Sequence, residues 1–177
     1  GVGETATADL VVDPSVGPGS YTALVTATNS DPAPQTGTCS LAVTIVEILP
    51  IGAVQGSVGD ADNGLIFRSP YAPASGNGAG ATVAVRAVIY QTLVARTASG
   101  GSTHGFFLQD TASTADGDPN TSDGIFVFTS GFTDLIGGYV PVVGDEVVVQ
   151  GRVSEFFSLP EWSSASALHV VRSGGDL

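Results

Sequence analysis

Five oxygen-bearing side chains, Asp110, Asp116, Asp118, Asn120 and Asp123, crowd into one stretch punctuated by Gly117, Pro119 and Gly124. Four carboxylates that close together repel one another unless a cation lies between them. A hard cation such as Ca²⁺ takes about six to eight oxygen ligands, and one loop can supply them with its own carbonyls completing the set. The same residue types also build plain surface turns, because Asp and Asn hydrogen-bond to their own backbone. Calcium binding and a bare turn are both open on this pattern. An EF-hand is not, since the closing Glu and the flanking helices are missing. Asp60, Asp62 and Asn63 form a smaller set of the same kind.

Other chemistries find less to work with. A metal-assisted nuclease needs carboxylates around Mg²⁺ together with a general base, and the two histidines, His104 and His169, sit at the edges of expected strands with no His-rich neighbourhood. Nothing reads as a nucleophile elbow of the Gly-x-Ser-x-Gly kind, so no catalysis is expected from this chain. All five basic residues are arginine (Arg68, Arg86, Arg96, Arg152, Arg172) against 17 acids, for a net charge of −12. Phosphate backbones and anionic membranes are poor partners for that balance. If DNA is bound, Arg86 and Arg152 are the expected cations, and Phe157 and Trp162, in the loop before a closing strand, are the expected stacking platforms. Phe126 and Phe128 alternate onto one face and are expected in the core.

The elements that must position these groups are β-strands. Apolar and small polar residues alternate along 6–12, 21–28 and 40–46, the period of half-buried strands. Turn-forming clusters rich in Pro, Gly, Asn and Asp separate them. Residues 1–47 therefore read as a three-stranded unit, which holds a lone Cys39 as a strand hydrophobe. Residues 48–81 read as an irregular linker with room for a short strand at 51–55. Five further apolar runs follow at 82–94, 105–109, 124–129, 146–155 and 167–171, with a helical turn at 132–138. Five strands in that order predict a closed barrel of the OB type over 82–177. Gly151 would let the fourth strand bend. Acids are also unevenly spread: residues 1–67 carry seven and no base.

The run GFFLQD at 105–110, TSDGIFVF at 121–128 and GDEVVVQGRVSEF at 144–156 resemble the OB-like domain of large secreted bacterial nucleases. Val54-Gln55-Gly56 and Arg68-Ser69-Pro70-Tyr71 are similar to the stretch that leads into it. Residues 19–31 resemble the late strands of a bacterial immunoglobulin-like repeat, a two-sheet sandwich. The resemblance implies catalysis on another domain; the start Gly1-Val2-Gly3-Glu4, without the basic and apolar regions of a signal peptide, leads to the expectation of a processed form or a piece of something longer.

The expectation is thus an all-β chain, a partial immunoglobulin-like unit followed by a five-stranded OB-fold barrel. Its expected role is a non-catalytic, extracellular bacterial module that serves assembly. Its exposed half-sandwich would be completed by neighbouring domains or by a second copy, which could propagate as a filament. The rival expectation is an adaptor that binds single-stranded DNA or an oligosaccharide. No apolar run is long enough to cross a membrane as a helix.

Overall fold

Threonine, valine and alanine alternate through the first part of the chain, and in the computed structural model they form a two-stranded antiparallel ribbon. Its strands are β1 (Gly19–Thr28) and β2 (Thr36–Ile45), in register from Gly19 opposite Ile45 to Thr28 opposite Thr36. The structure describes residues 9–13, 15–30, 32–57, 68–74, 80–96, 102–129, 138–156 and 159–174. Asn29 closes the turn twice: its N–H donates to the Gln35 carbonyl, and its side-chain oxygen accepts from the Gln35 N–H at 2.7 Å. Successive side chains leave a strand on opposite sides. One face therefore collects Tyr21, Ala23, Val25 and Ala27 with Leu41, Val43 and Cys39, while the other is a Ser/Thr row interrupted by Leu24 and Ala42.

Of the third strand expected at 6–12, residues 9–12 are described; they pair with no described strand, and the Asp13 side chain turns the chain by accepting the Ser15 N–H. Apolar content marks a stretch that could be buried; a strand also needs a ladder partner, and none is supplied among the described residues.

The chain divides into two units, Gly1–Glu47 and Ile48–Leu177. In the second, α1 (Ile51–Gln55) precedes β3 (Thr82–Arg96), β4 (Ser102–Gln109), β5 (Gly124–Thr129), β6 (Glu146–Phe156) and β7 (Leu159–Arg172). These five strands close into a barrel in the order β3-β4-β5-β7-β6. All pairings are antiparallel except a short parallel one, where Phe126 and Val127 of β5 meet Glu161 and Trp162 of β7. The first half of β3 pairs with β6 and the second half with β4. One long strand thereby turns the corner of the barrel. The β6–β7 ladder slips at Gln150/Gly151, where the expected bend falls.

The barrel interior is apolar: Val85, Ile89, Phe106, Leu108, Val127, Val147, Val149 and Trp162 are all buried. Each such side chain contributes about 1.5–3 kcal/mol on leaving water. Ile51 and Val54 of α1 join the same cluster with no exposed surface. The stretch expected as an extended piece is thus a single helical turn that closes the barrel with two side chains. Ser69 anchors the following segment by donating its hydroxyl to the Val54 carbonyl and its N–H to Glu155 Oε1. The helical turn expected at 132–138 and the Asp60, Asp62 and Asn63 set lie outside the described residues, Gly138 excepted.

A candidate ligand-binding face on the barrel

Phenylalanine placement is the first departure from expectation that bears on function. In β5 the inward residues are Ile125, Val127 and Thr129, so Phe126 and Phe128 stand on the other, outer face. The register is one residue away from the expected one because Val127 pairs inward against Phe106 on β4. Phe126 therefore leaves the core and packs on Phe107, its cross-strand partner, with ring centroids 4.9 Å apart and planes tilted by 46°. Gly105 makes room for this: a Cβ there would lie 2.2 Å from Phe126 Cζ.

A bulge in β3 adds the third ring. Ile89 pairs with Leu108, and the next pairing joins Gln91 to Phe107, so Tyr90 is the unpaired extra residue. It points away from the core and is 57% exposed, beside Phe107 at 37%. Together with Phe126 these rings border a cavity of about 300 Å³, whose polar lining is three amides, Gln55, Gln91 and Gln109. Gln55 reaches it from α1 and is fixed by donating to the Gly124 carbonyl. The lining holds no charged side chain. Flat apolar surfaces with a few convergent donors and acceptors are what a small ring-bearing ligand needs.

The acidic loop is folded by hydrogen bonds from its own side chains. Asp116 Oδ1 accepts from the Asp118 N–H at 2.9 Å and from the Thr121 hydroxyl at 3.0 Å, and Asp118 Oδ1 accepts the N–H and side-chain amide of Asn120. These are turns closed by Asp side chains. Asp110 is buried, and its Oδ2 accepts the Ile51 N–H of α1 at 2.7 Å. Burial pushes its carboxyl above the usual carboxylate range, and the charges of Asp123 and Asp116 add to this, against the hydrogen bonds from Ile51 and Thr114. The Asp123 carbonyl accepts the Asp110 N–H. Among the described residues, no three carboxylates or histidines converge as a metal group.

The expected DNA-binding set is dispersed. Trp162 is a correction: the closing strand begins at Leu159 rather than near 167, so Trp162 lies within β7, fully buried opposite Val153, with no face for a base. Phe157 lies outside the described residues. Arg86 is exposed on β3, where its Nε donates to Glu146 Oε1 at 2.8 Å; Arg152 is exposed on β6. His104 and His169 lie in β4 and β7, opposite Thr129 and Val148. Tyr90 was not a sequence candidate. The available signal was the break in parity at Ile89-Tyr90-Gln91, where an aromatic and an amide interrupt the inward series Val83, Val85, Ala87, Ile89.

Compared with protein-family models and with curated proteins, the chain matches none. The fold and the face define a small closed β-barrel with an aromatic, uncharged outer groove.

Proposed function

We propose that the second unit is an OB-type barrel acting as a non-catalytic binding module, with an oligosaccharide strand laid across the outer surface of β3, β4 and β5. The observation that carries this reading is the groove itself: Tyr90, Phe107 and Phe126 flanked by Gln55, Gln91 and Gln109, with no charge in the lining. Sugar rings stack their C–H faces on aromatic rings, and side-chain amides pair with vicinal hydroxyls as donor and acceptor at once. OB-type barrels offer the corresponding surface, the face of their second and third strands, to oligosaccharides and oligonucleotides alike. A single-stranded nucleic acid also needs cations along its backbone; none lies among the described residues that line the pocket, and the arginines beyond its edge, Arg86 and Arg172, share one carboxylate, Glu146. The resemblance of 105–128 and 144–156 to the OB-like domain of secreted nucleases supports a place outside the cell, within a larger protein.

Calorimetric titration with neutral oligosaccharides of three to six rings tests the reading. Binding should weaken by a factor of roughly 5–30 on Tyr90→Ala or Phe107→Ala, with the fold intact by Trp162 fluorescence. Unchanged binding in both variants overturns it.

One observation favours assembly as a second role. The apolar face of β1–β2 is open, with Tyr21 42%, Val25 45% and Leu41 48% exposed. Under that reading, a variant lacking residues 1–47 sediments as a soluble monomer while the full chain self-associates. A deletion variant that still polymerises sinks it.

A further inference from the structure

The groove does not end in neutral surface. One cross-strand row runs round the outside of the barrel: Gly124 on β5 pairs with Gln109 on β4, Gln109 with Val88 on β3, Val88 with Glu146 on β6, and Glu146 with Arg172 on β7. Neighbouring strands are about 4.8 Å apart, so Glu146 stands only about 10 Å from the Gln109 backbone, beyond a single valine. Glu146 is held between two guanidiniums, Arg86 Nε at 2.8 Å and Arg172 Nε at 3.5 Å. The carboxylate is nearly buried, whereas the arginine side chains are 47% and 64% exposed. One acid cannot neutralise two bases, so Arg86, Glu146 and Arg172 together sum to one positive charge on a chain whose overall charge is −12; the neighbouring Asp145 carboxylate is engaged by the Tyr139 hydroxyl and the Gly174 N–H. Each guanidinium has five N–H donors, and the contacts to Glu146 are made through Nε alone. Arg68, by contrast, spends its guanidinium on the Pro73 and Ala74 carbonyls.

We infer that the ligand of the groove is an acidic oligosaccharide. Its ring stacks on Tyr90 and Phe107, and a carboxylate or sulfate one or two sugar units along is received by Arg86 and Arg172. This rests on the oligosaccharide reading above and narrows it to a chemical class. The Arg86–Glu146 contact pre-orients its guanidinium, so little rotamer freedom is lost when the anion arrives. A net positive spot on an otherwise acidic surface also selects: an anionic chain can settle only where the arginines are, which fixes its register along the groove.

The test uses the full chain against matched pairs of oligosaccharides, each uronic acid oligomer beside its neutral methyl ester and each sulfated oligomer beside its unsulfated parent, with oligo-dT as a third class. The expected result is tighter binding of the acidic member of at least one pair. Arg172→Gln and Arg86→Gln should each weaken that member roughly fivefold to tenfold and leave its neutral partner unchanged. Raising the salt from about 0.05 to about 0.5 M should erase the difference, because exposed charges are screened over a few ångströms at the higher value. Equal affinity within every pair, or arginine variants that weaken both members alike, overturns the acidic assignment while the oligosaccharide reading stands. If Tyr90→Ala weakens neither member, or no sugar binds at all, the reading beneath it fails. Oligo-dT binding more tightly than every sugar, through the same arginines, assigns the face to nucleic acid and overturns both.

Discussion

Alanine at position 105 would put a Cβ 2.2 Å from Phe126 Cζ, 2.5 Å from Cε2 and 2.6 Å from the Val127 carbonyl oxygen. All three contacts are shorter than real ones, and they separate into two kinds. The ring can swing outward, at the cost of its packing on Phe107; the carbonyl belongs to the β4–β5 ladder and yields only if the strands part. Overpacking of this sort costs about 1–3 kcal/mol, and the better strand behaviour of alanine over glycine returns about 0.5–1 kcal/mol. Because the carbonyl contact cannot be relieved by a side-chain rotation, the upper end of the first range applies, and a net loss of about 2 kcal/mol is expected for Gly105→Ala. Trp162 is the one tryptophan and is buried in the barrel, so denaturant unfolding followed by its fluorescence reports this unit. Phe126→Ala removes the ring and two of the three clashes, so Gly105→Ala should cost at least about 1 kcal/mol less in that background than in the native one. A Gly105→Ala cost below about 0.5 kcal/mol, or one unchanged by Phe126→Ala, refutes the argument that glycine is there to seat the ring.

Asp116→Ala removes a turn-closing acceptor and should lower stability by about 1 kcal/mol to the same extent with Ca²⁺ and with chelator; a native melting temperature that rises with Ca²⁺, and no longer does so in Asp116→Ala, would return the loop to the cation. Asp110 has its pKa raised above 3.8 in the folded chain, so between that value and the raised one the native state holds a proton the unfolded state has released, and stability falls as pH rises through the window. Asp110→Asn keeps an acceptor for the Ile51 N–H and should flatten that part of the stability profile, as measured by denaturation from pH 3 to pH 7; an unaltered slope would contradict it. The Tyr139 hydroxyl donates to Asp145 Oδ2 at 2.6 Å, and its pKa is pushed up to about 12 by burial and then by Asp145. Stability should therefore fall as pH rises from about 10 towards 12, and Tyr139→Phe should abolish that alkaline loss at a cost of about 1–2 kcal/mol.

Strand periodicity made the five barrel strands legible, and their turns gave the order. What escaped was decided by pairing rather than by propensity. Residues 9–12, the described part of the run at 6–12, have no partner among the described residues. Residues 51–55 are too short to distinguish helix from strand by period, and their two apolar residues serve the barrel as one helical turn. The sequence pattern also showed that Phe126 and Phe128 share a face but not which face, because a shift of one residue exchanges inside and outside. From sequence, Trp162 falls in a loop, because the apolar run at 167–171 hides how far the hairpin extends. The same ambiguity concealed the groove: Tyr90 reaches it only through a bulge, and Gln55 only because α1 closes the barrel end beside β5. The Arg86–Glu146–Arg172 cluster joins residues 86 positions apart in the chain at its extremes and is visible only from the register.

The measurement closest to the central claim is titration of the native chain and of Tyr90→Ala with an oligosaccharide that the native chain binds. Tyr90 is exposed, unpaired in the ladder and absent from the core, so its loss should spare stability and cost about 1–2 kcal/mol of binding, a factor of roughly 5–30. Full affinity in Tyr90→Ala would contradict the assignment of the β3–β4–β5 face as the binding site.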